Sequence, residues 1–330
     1  MKIAARLLLA LVCLVAAVSQ AAAPKRWTMI NLGTLAGGVG GSTALAINHR
    51  GQVVGSATAP AAGGFGFAIH AFIWEDGTMR DLGTAPGATM SDAIDVTDRG
   101  VALAGDGLGG QYLVQDGEWV RLSVPGFADR INKFGDIAGV YSPSAGRSHA
   151  YLLKDGALHD AGTLGGAFSL PEAMSDRGAI VGRSSLPGET RIHAFKYQSG
   201  TIVDLGTLGG TFSVANGINN HGVVVGASLD ADRNAFAFVH DGSVMRRLLP
   251  DLPAPQTATA INDRGAIVGD LGQGGSYLYE SGVVTILESI PEVQAGGWTR
   301  LVPTAINNRG WITGWGIRPG ESDKAFLLIP

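Results

Sequence analysis

The sequence predicts an all-β fold, a seven-bladed β-propeller with four antiparallel strands per blade. Three observations carry that expectation. A glycine-bearing motif recurs seven times, the chain between copies consists of short apolar runs separated by turns, and one extra copy of the last run stands alone near the N-terminus. A period in the low forties is the length that a four-stranded blade requires.

The recurring motif reads INHRG ending at Gly51, VTDRG at Gly100, INKFG at Gly135, MSDRG at Gly178, INNHG at Gly222, INDRG at Gly265 and INNRG at Gly310. A short apolar stretch precedes each glycine, such as Thr43 to Ile47 or Thr257 to Ile261, and a second follows it, such as QVVGSA. Two β-rich runs joined by a glycine-bearing turn read as a hairpin. The residue after the Ile-like position is Asn48, Thr97, Asn132, Ser175, Asn219, Asn262 or Asn307, each with a side-chain oxygen that can accept from the turn backbone.

The third run of each repeat is HAFIW from His70, with counterparts from Gln111, His149, His193, Ala235, Ser276 and Ala325. The fourth is TMRDLGT, Thr78 to Thr84, with five further copies; the last repeat ends at Pro330 without one. The segment WTMINLGT, Trp27 to Thr34, is the missing copy. It is expected to close the last blade from the N-terminal side, leaving no incomplete sheet.

These recurring HAF..W.DG, DLGTLGG and AIN.RG.VVG elements resemble the HAF-repeat family of secreted bacterial proteins and cover residues 23–330, read as a single domain. The resemblance implies an extracellular or envelope location and brings no catalytic residues with it.

Residues 1–22 are expected to be a signal peptide: Lys2 and Arg6 precede the apolar run Leu7 to Val18, and small residues follow. The run is too short to span a membrane. Its removal takes the only cysteine, Cys13, so no disulfide or thiol chemistry is expected of the remainder. It also removes two of the 24 basic residues and none of the 28 acidic ones, giving a net charge of −6. That balance argues against nucleic acid or anionic lipid as partner. The expected protein is a monomer, secreted or periplasmic, without a membrane span.

Tight turns are expected on one face of the ring and long connections on the other, at Ala57 to Ile69, Ser184 to Arg191, Leu249 to Thr257 and Leu287 to Pro303. Variable loops on a rigid ring commonly carry binding groups. Phe65, Phe67 and Trp298 are the aromatics proposed for a surface there, Trp298 because its connection is the longest. Phe168 and Phe212 occupy equivalent positions after TLGG and are expected to pack between blades.

Two residues before each Ile-like position stand Leu45, Ile94, Asp129, Glu172, Asn216, Thr259 and Thr304. With neighbouring Asp95 and Arg130, this column is expected to form a polar arc near the axis. Asp95, Arg130 and Asn216 are candidate binding residues. Asp129 and Glu172 are the carboxylates of an alternative reading, a hydrolase or lyase at the channel mouth. No cofactor motif or zinc spacing occurs, so neither a cofactor nor a metal is expected. The main expectation is a non-enzymatic scaffold binding a protein, glycan or envelope component through the long-loop face.

Overall fold

The computed structural model describes residues 25–60 and 66–330. The expected signal segment and Phe65 lie outside the described residues.

Every repeat contributes strands in the order in which they occur along the chain. The first forms Ser42–Ile47, Val53–Pro60, Phe67–Glu75 and Thr78–Gly83; the second forms Asp92–Val96, Ala102–Gly105, Gln111–Gln115 and Glu118–Arg121. The third forms Gly126–Ile131, Ile137–Tyr141, His149–Lys154 and Ala157–Gly162; the sixth forms Thr257–Ile261, Ile267–Asp270, Ser276–Glu280 and Val283–Ile286. In the last, Arg300–Ile306, Ile312–Ile317 and Lys324–Ile329 are joined by Thr28–Gly33, which pairs antiparallel with the C-terminal strand from Thr28↔Ile329 to Gly33↔Ala325.

The expectation of seven separate blades is corrected here: the structure has five separate four-stranded blades, not seven. The remaining eight strands, Ser169–Met174, Ile180–Ser185, Ile192–Gln198, Thr201–Asp204, Gly209–Ile218, Val224–Asp230, Ala235–His240 and Met245–Arg247, form one continuous sheet. The junction is a parallel pairing of Ile192 with Phe212. It arises because Gly209–Ile218, at ten residues, reaches back beside the start of the preceding repeat's third strand. The equivalent approach of Phe168 to Ser148 stays an isolated bridge. Both phenylalanines thus sit at contacts between repeats.

One pairing explains the motif residues of the core. The aromatic of each third strand stands opposite a small residue of the second: Phe72 faces Gly55, Tyr112 Ala104, Tyr151 Gly139, Phe195 Gly182, Phe238 Gly226, Tyr277 Gly269 and Phe326 Gly314. Six of the seven are glycine because the first strand's carbonyl crosses directly above; a Cβ at Gly314 would overlap the Val302 oxygen. Without it the ring lies flat on the backbone, and Tyr151 and Tyr277 donate their hydroxyls over the glycine to Phe127 O (3.1 Å) and Thr257 O (3.2 Å). Burying such a ring is worth about 1.5–3 kcal/mol.

The connection before the last repeat differs from the expected exposed loop. It folds through a 3-10 turn, Leu287–Ser289, and a short helix, Pro291–Ala295, that starts on a proline. This carries Trp298 inward. It is only 4% exposed, packs edge-on against Phe326 at 6.1 Å and shares a core cluster with Leu287, Val293 and Leu301. Trp298 is therefore a core residue and not a surface aromatic, because the helix turns its apolar face and the indole toward the same sheet. The first expected long connection is also shorter, since its flanking strands pair as far as Pro60↔Phe67.

Candidate functional site

The seven first strands touch neighbour to neighbour, and Arg300–Ile306 returns to Ser42–Ile47. Each carries a β-bulge at one equivalent place: between Ala44 and Ala46, Ala93 and Asp95, Ala128 and Arg130, Pro171 and Ala173, Ala215 and Gly217, Ala258 and Ala260, and Pro303 and Ala305. The extra residue is Leu45, Ile94, Asp129, Glu172, Asn216, Thr259 or Thr304. A bulge breaks the two-residue alternation, so the extra residue and its successor can turn to the same side.

That side is the axis. A cavity of about 530 Å³ is lined by Leu45, Ile94, Asp95, Arg130, Glu172, Asn216, Thr259 and Thr304. The structure thus brings the candidate residues Asp95, Arg130, Glu172 and Asn216 together in one space, with Asp129 on the adjoining bulge. Asp95 accepts from Val96 N (2.8 Å) and Ile131 N (3.0 Å), which ties the second repeat to the third. Burial raises its pKa above the ordinary carboxylate value, against the pull of Arg130 and of those two amides. Burial also pushes Asp129 up to about 6; Arg130 opposes this and Glu172 adds to it. Glu172 is held by Arg183 at 2.7 Å. Arg130 donates to Asp129 O (2.6 Å), and Asn216 donates to Ala258 O (2.9 Å).

Beyond the cavity, toward the tight turns, Ile47, Ile218 and Ile261 line both this space and a shallower depression of about 150 Å³. The depression is rimmed by a set of residues that the sequence reading treated only as turn chemistry. In six of the seven repeats the residue after the Asn-type position reaches its counterpart in the next. His49 N donates to Asp98 (3.0 Å), Asp176 N to Asn220 (2.9 Å), Asn220 N to Asp263 (2.8 Å) and Asp263 N to Asn308 (2.8 Å). Their side chains continue the chain: Asn220 Nδ2 bridges Asp176 (2.7 Å) and Asp263 (3.0 Å), Asn308 Nδ2 donates to Asp263 (2.7 Å), and Asn308 meets His49 at 2.7 Å. The signal was present in the sequence, since this position is His49, Asp98, Lys133, Asp176, Asn220, Asp263 or Asn308, a hydrogen-bonding side chain in every repeat.

The opposite, long-loop face has another character. Phe67, Leu108 and Phe127 are 64%, 80% and 55% exposed, and Ile69 and Met90 are exposed too. They adjoin: Ile69 O accepts from Ser91 N (2.8 Å), the Met90 side chain lies against Gly107, and the Phe127 ring lies over Gly109. The result is an apolar strip across the first three repeats.

His70, His149 and His193 do not converge on a metal. Each pairs its Nδ1 with the fourth-strand carboxylate of its own repeat, Asp81, Asp160 or Asp204, at 2.9 Å. Among the described residues no cluster of three or more His, Cys, Asp or Glu side chains is placed to hold a metal ion.

No family model and no curated protein matches the chain. Among solved structures it is similar to the β-propeller domain of the Trilobed protease from Pyrococcus furiosus, at 10% identity and a TM-score of 0.59 over 88% of this chain and 93% of that one. It is also similar to the Pyrococcus horikoshii acylaminoacyl peptidase, at 12% identity and a TM-score of 0.54 over 87% of this chain and 51% of the other. A third is YCF48 bound to D1 peptide, at 13% identity and a TM-score of 0.53 over 92% and 97%. The chain is a β-propeller scaffold. At these identities the likeness establishes fold alone. Among the described residues the propeller has no helix long and apolar enough to cross a membrane.

Of the expected rim residues, the propeller leaves Phe67 on the surface and takes Trp298 into the core. Leu108 was not singled out for binding, because an isolated apolar residue in a glycine-rich connection carries no sequence signal until the ring places it beside its neighbours.

Proposed function

We propose that the chain is a non-enzymatic, secreted propeller scaffold that binds a protein segment through its long-loop face. The observation that carries this reading is the exposed apolar strip of Phe67, Ile69, Met90, Leu108 and Phe127 on one rim of a rigid ring. Contiguous exposed apolar surface beside polar residues suits a protein partner better than a sugar, which needs flat rings bordered by paired polar groups. YCF48, a propeller of comparable extent, has a peptide bound. Export is supported by the N-terminal pattern of Lys2, Arg6 and the apolar run that follows, and the repeat resemblance points the same way. The hydrolase or lyase alternative gains little support, because Glu172 is already engaged by Arg183.

The test is a peptide and glycan array probed with the unmodified protein and with the triple variant Phe67→Ser, Leu108→Ser, Phe127→Ser. The reading expects capture of peptides rich in apolar residues, weakened at least about tenfold in the variant, as expected for loss of roughly 1.4 kcal/mol or more. Capture of glycans alone, or equal peptide capture by both proteins, overturns it.

A further inference from the structure

The axial cavity lies apart from the apolar strip and has chemistry of its own. Its charges are distributed unevenly. Leu45, Ile47 and Ile94 are apolar, Asp95 beside Ile94 is tied by its carboxylate to two backbone amides, and Arg130 and Glu172 follow on the next two repeats. Among the described residues Arg130 enters no ion pair within 4.0 Å; its one recorded hydrogen bond is to the Asp129 carbonyl. An arginine beside a cavity with no carboxylate on its fork is prepared for an anionic group, since guanidinium matches a carboxylate with two parallel hydrogen bonds. The acids are in the opposite situation. Asp129 is attracted by Arg130 and repelled by Glu172, and Arg183 pairs with Glu172. A cation between them would relieve that repulsion. The volume, about 530 Å³, is within the range of small-molecule sites.

We propose that this cavity binds a small zwitterion of the amino-acid type, its carboxylate on Arg130, its ammonium toward Asp129 and Glu172, and its apolar side chain against Leu45 and Ile94. The seven bulges are the device that makes such a site possible, because they turn consecutive residues of one strand to the axis. Toward the tight turns, Ile47, Ile218 and Ile261 are shared with the depression rimmed by Asn220, Asp263 and Asn308.

The test is calorimetric titration of the purified protein with L-leucine, N-acetyl-L-leucine and L-leucine methyl ester. Leucine is expected to bind, and each derivative, lacking one charge, to bind at least about tenfold more weakly. In Arg130→Gln leucine affinity should drop to that of the methyl ester, with unchanged thermal unfolding in the absence of ligand. The comparison among ligands uses the unmodified protein and so stands even if the variant misfolds. No heat with leucine at about 10 mM, a concentration that reveals even millimolar binding, overturns the proposal. So does binding of N-acetyl-leucine equal to that of leucine, which would mark the site as one for simple carboxylates or peptide C-termini.

Discussion

Asn307 donates its Nδ2 to the carbonyl of Asn48 at 3.0 Å, joining residues 259 positions apart. The same side chain accepts from Arg309 N and Trp311 N in its own turn. Its counterparts Asn48, Asn219 and Asn262 donate to Thr97 O, Asn262 O and Asn307 O. One amide therefore holds its turn with the oxygen and the next repeat with the nitrogen. Thr97 and Ser175 supply only the oxygen, to Val101 N and Ala179 N.

Asn307→Ser tests this division of labour. The hydroxyl retains the local acceptor, as in Ser175, and loses the bond to Asn48. The expected cost is about 1 kcal/mol, read by denaturant unfolding; Asn307→Ala, which loses both, should cost about 1–3 kcal/mol. Equal losses in the two variants would mean that the bond across the ring contributes nothing.

Gly314→Ala should be far more damaging than its size suggests. The added methyl meets the Val302 carbonyl and the Pro303 Cα of the neighbouring strand, so the strands must separate. A loss of roughly 3 kcal/mol or more is expected, with Ala104→Gly, at the one position where the fold already accepts a methyl, as the contrasting case. Thermal unfolding of both variants gives the comparison.

Removing Thr28–Gly33 strips the outer edge from Lys324–Ile329, whose Phe326, Leu327 and Leu328 are fully buried. An uncovered apolar edge strand pairs with whatever is available. The truncated protein should unfold at lower temperature and oligomerise in size-exclusion chromatography; a monomer with unchanged melting would refute the account.

Asp129 sets a pH dependence. Its folded pKa, about 6, lies above the ordinary value of 3.8, so the folded state holds the proton more tightly than the unfolded chain does. The stabilisation from this group is complete below about pH 4 and is lost as pH rises through about 6. Asp129→Asn removes the titration, and the variant should gain stability relative to the unmodified protein on going from pH 4 to pH 7. Melting curves across that range check the sign.

Much of this was legible in the residues. The period, the hairpin glycines and the fourth-strand copy at Trp27 to Thr34 mark the four-strand unit, because each reflects a local requirement: a turn that needs glycine, or a strand that needs a partner. The column of Leu45, Ile94, Asp129, Glu172, Asn216, Thr259 and Thr304 stood out because its residue types vary while the following position, Asp95 and Arg130 apart, is Ala or Gly. The bulge that turns it to the axis was not legible, for a bulge is a mismatch between two strands and belongs to neither alone.

Trp298 and the sheet count mark where local reasoning stopped. A tryptophan in the longest connection reads as exposed, yet Pro291–Ala295 folds it onto Phe326, and only the arrangement of three distant segments decides that. The joining of eight strands likewise depends on one contact, Ile192 with Phe212, whose partners are separated by a complete turn and strand. By itself the sequence determined the repeating hairpins and their aromatic and glycine positions, because those follow from backbone geometry within one unit. Tertiary structure alone decided which polar side chains share the axial cavity, which aromatics remain exposed and where neighbouring sheets fuse, because each of these depends on distances between units that no local pattern encodes.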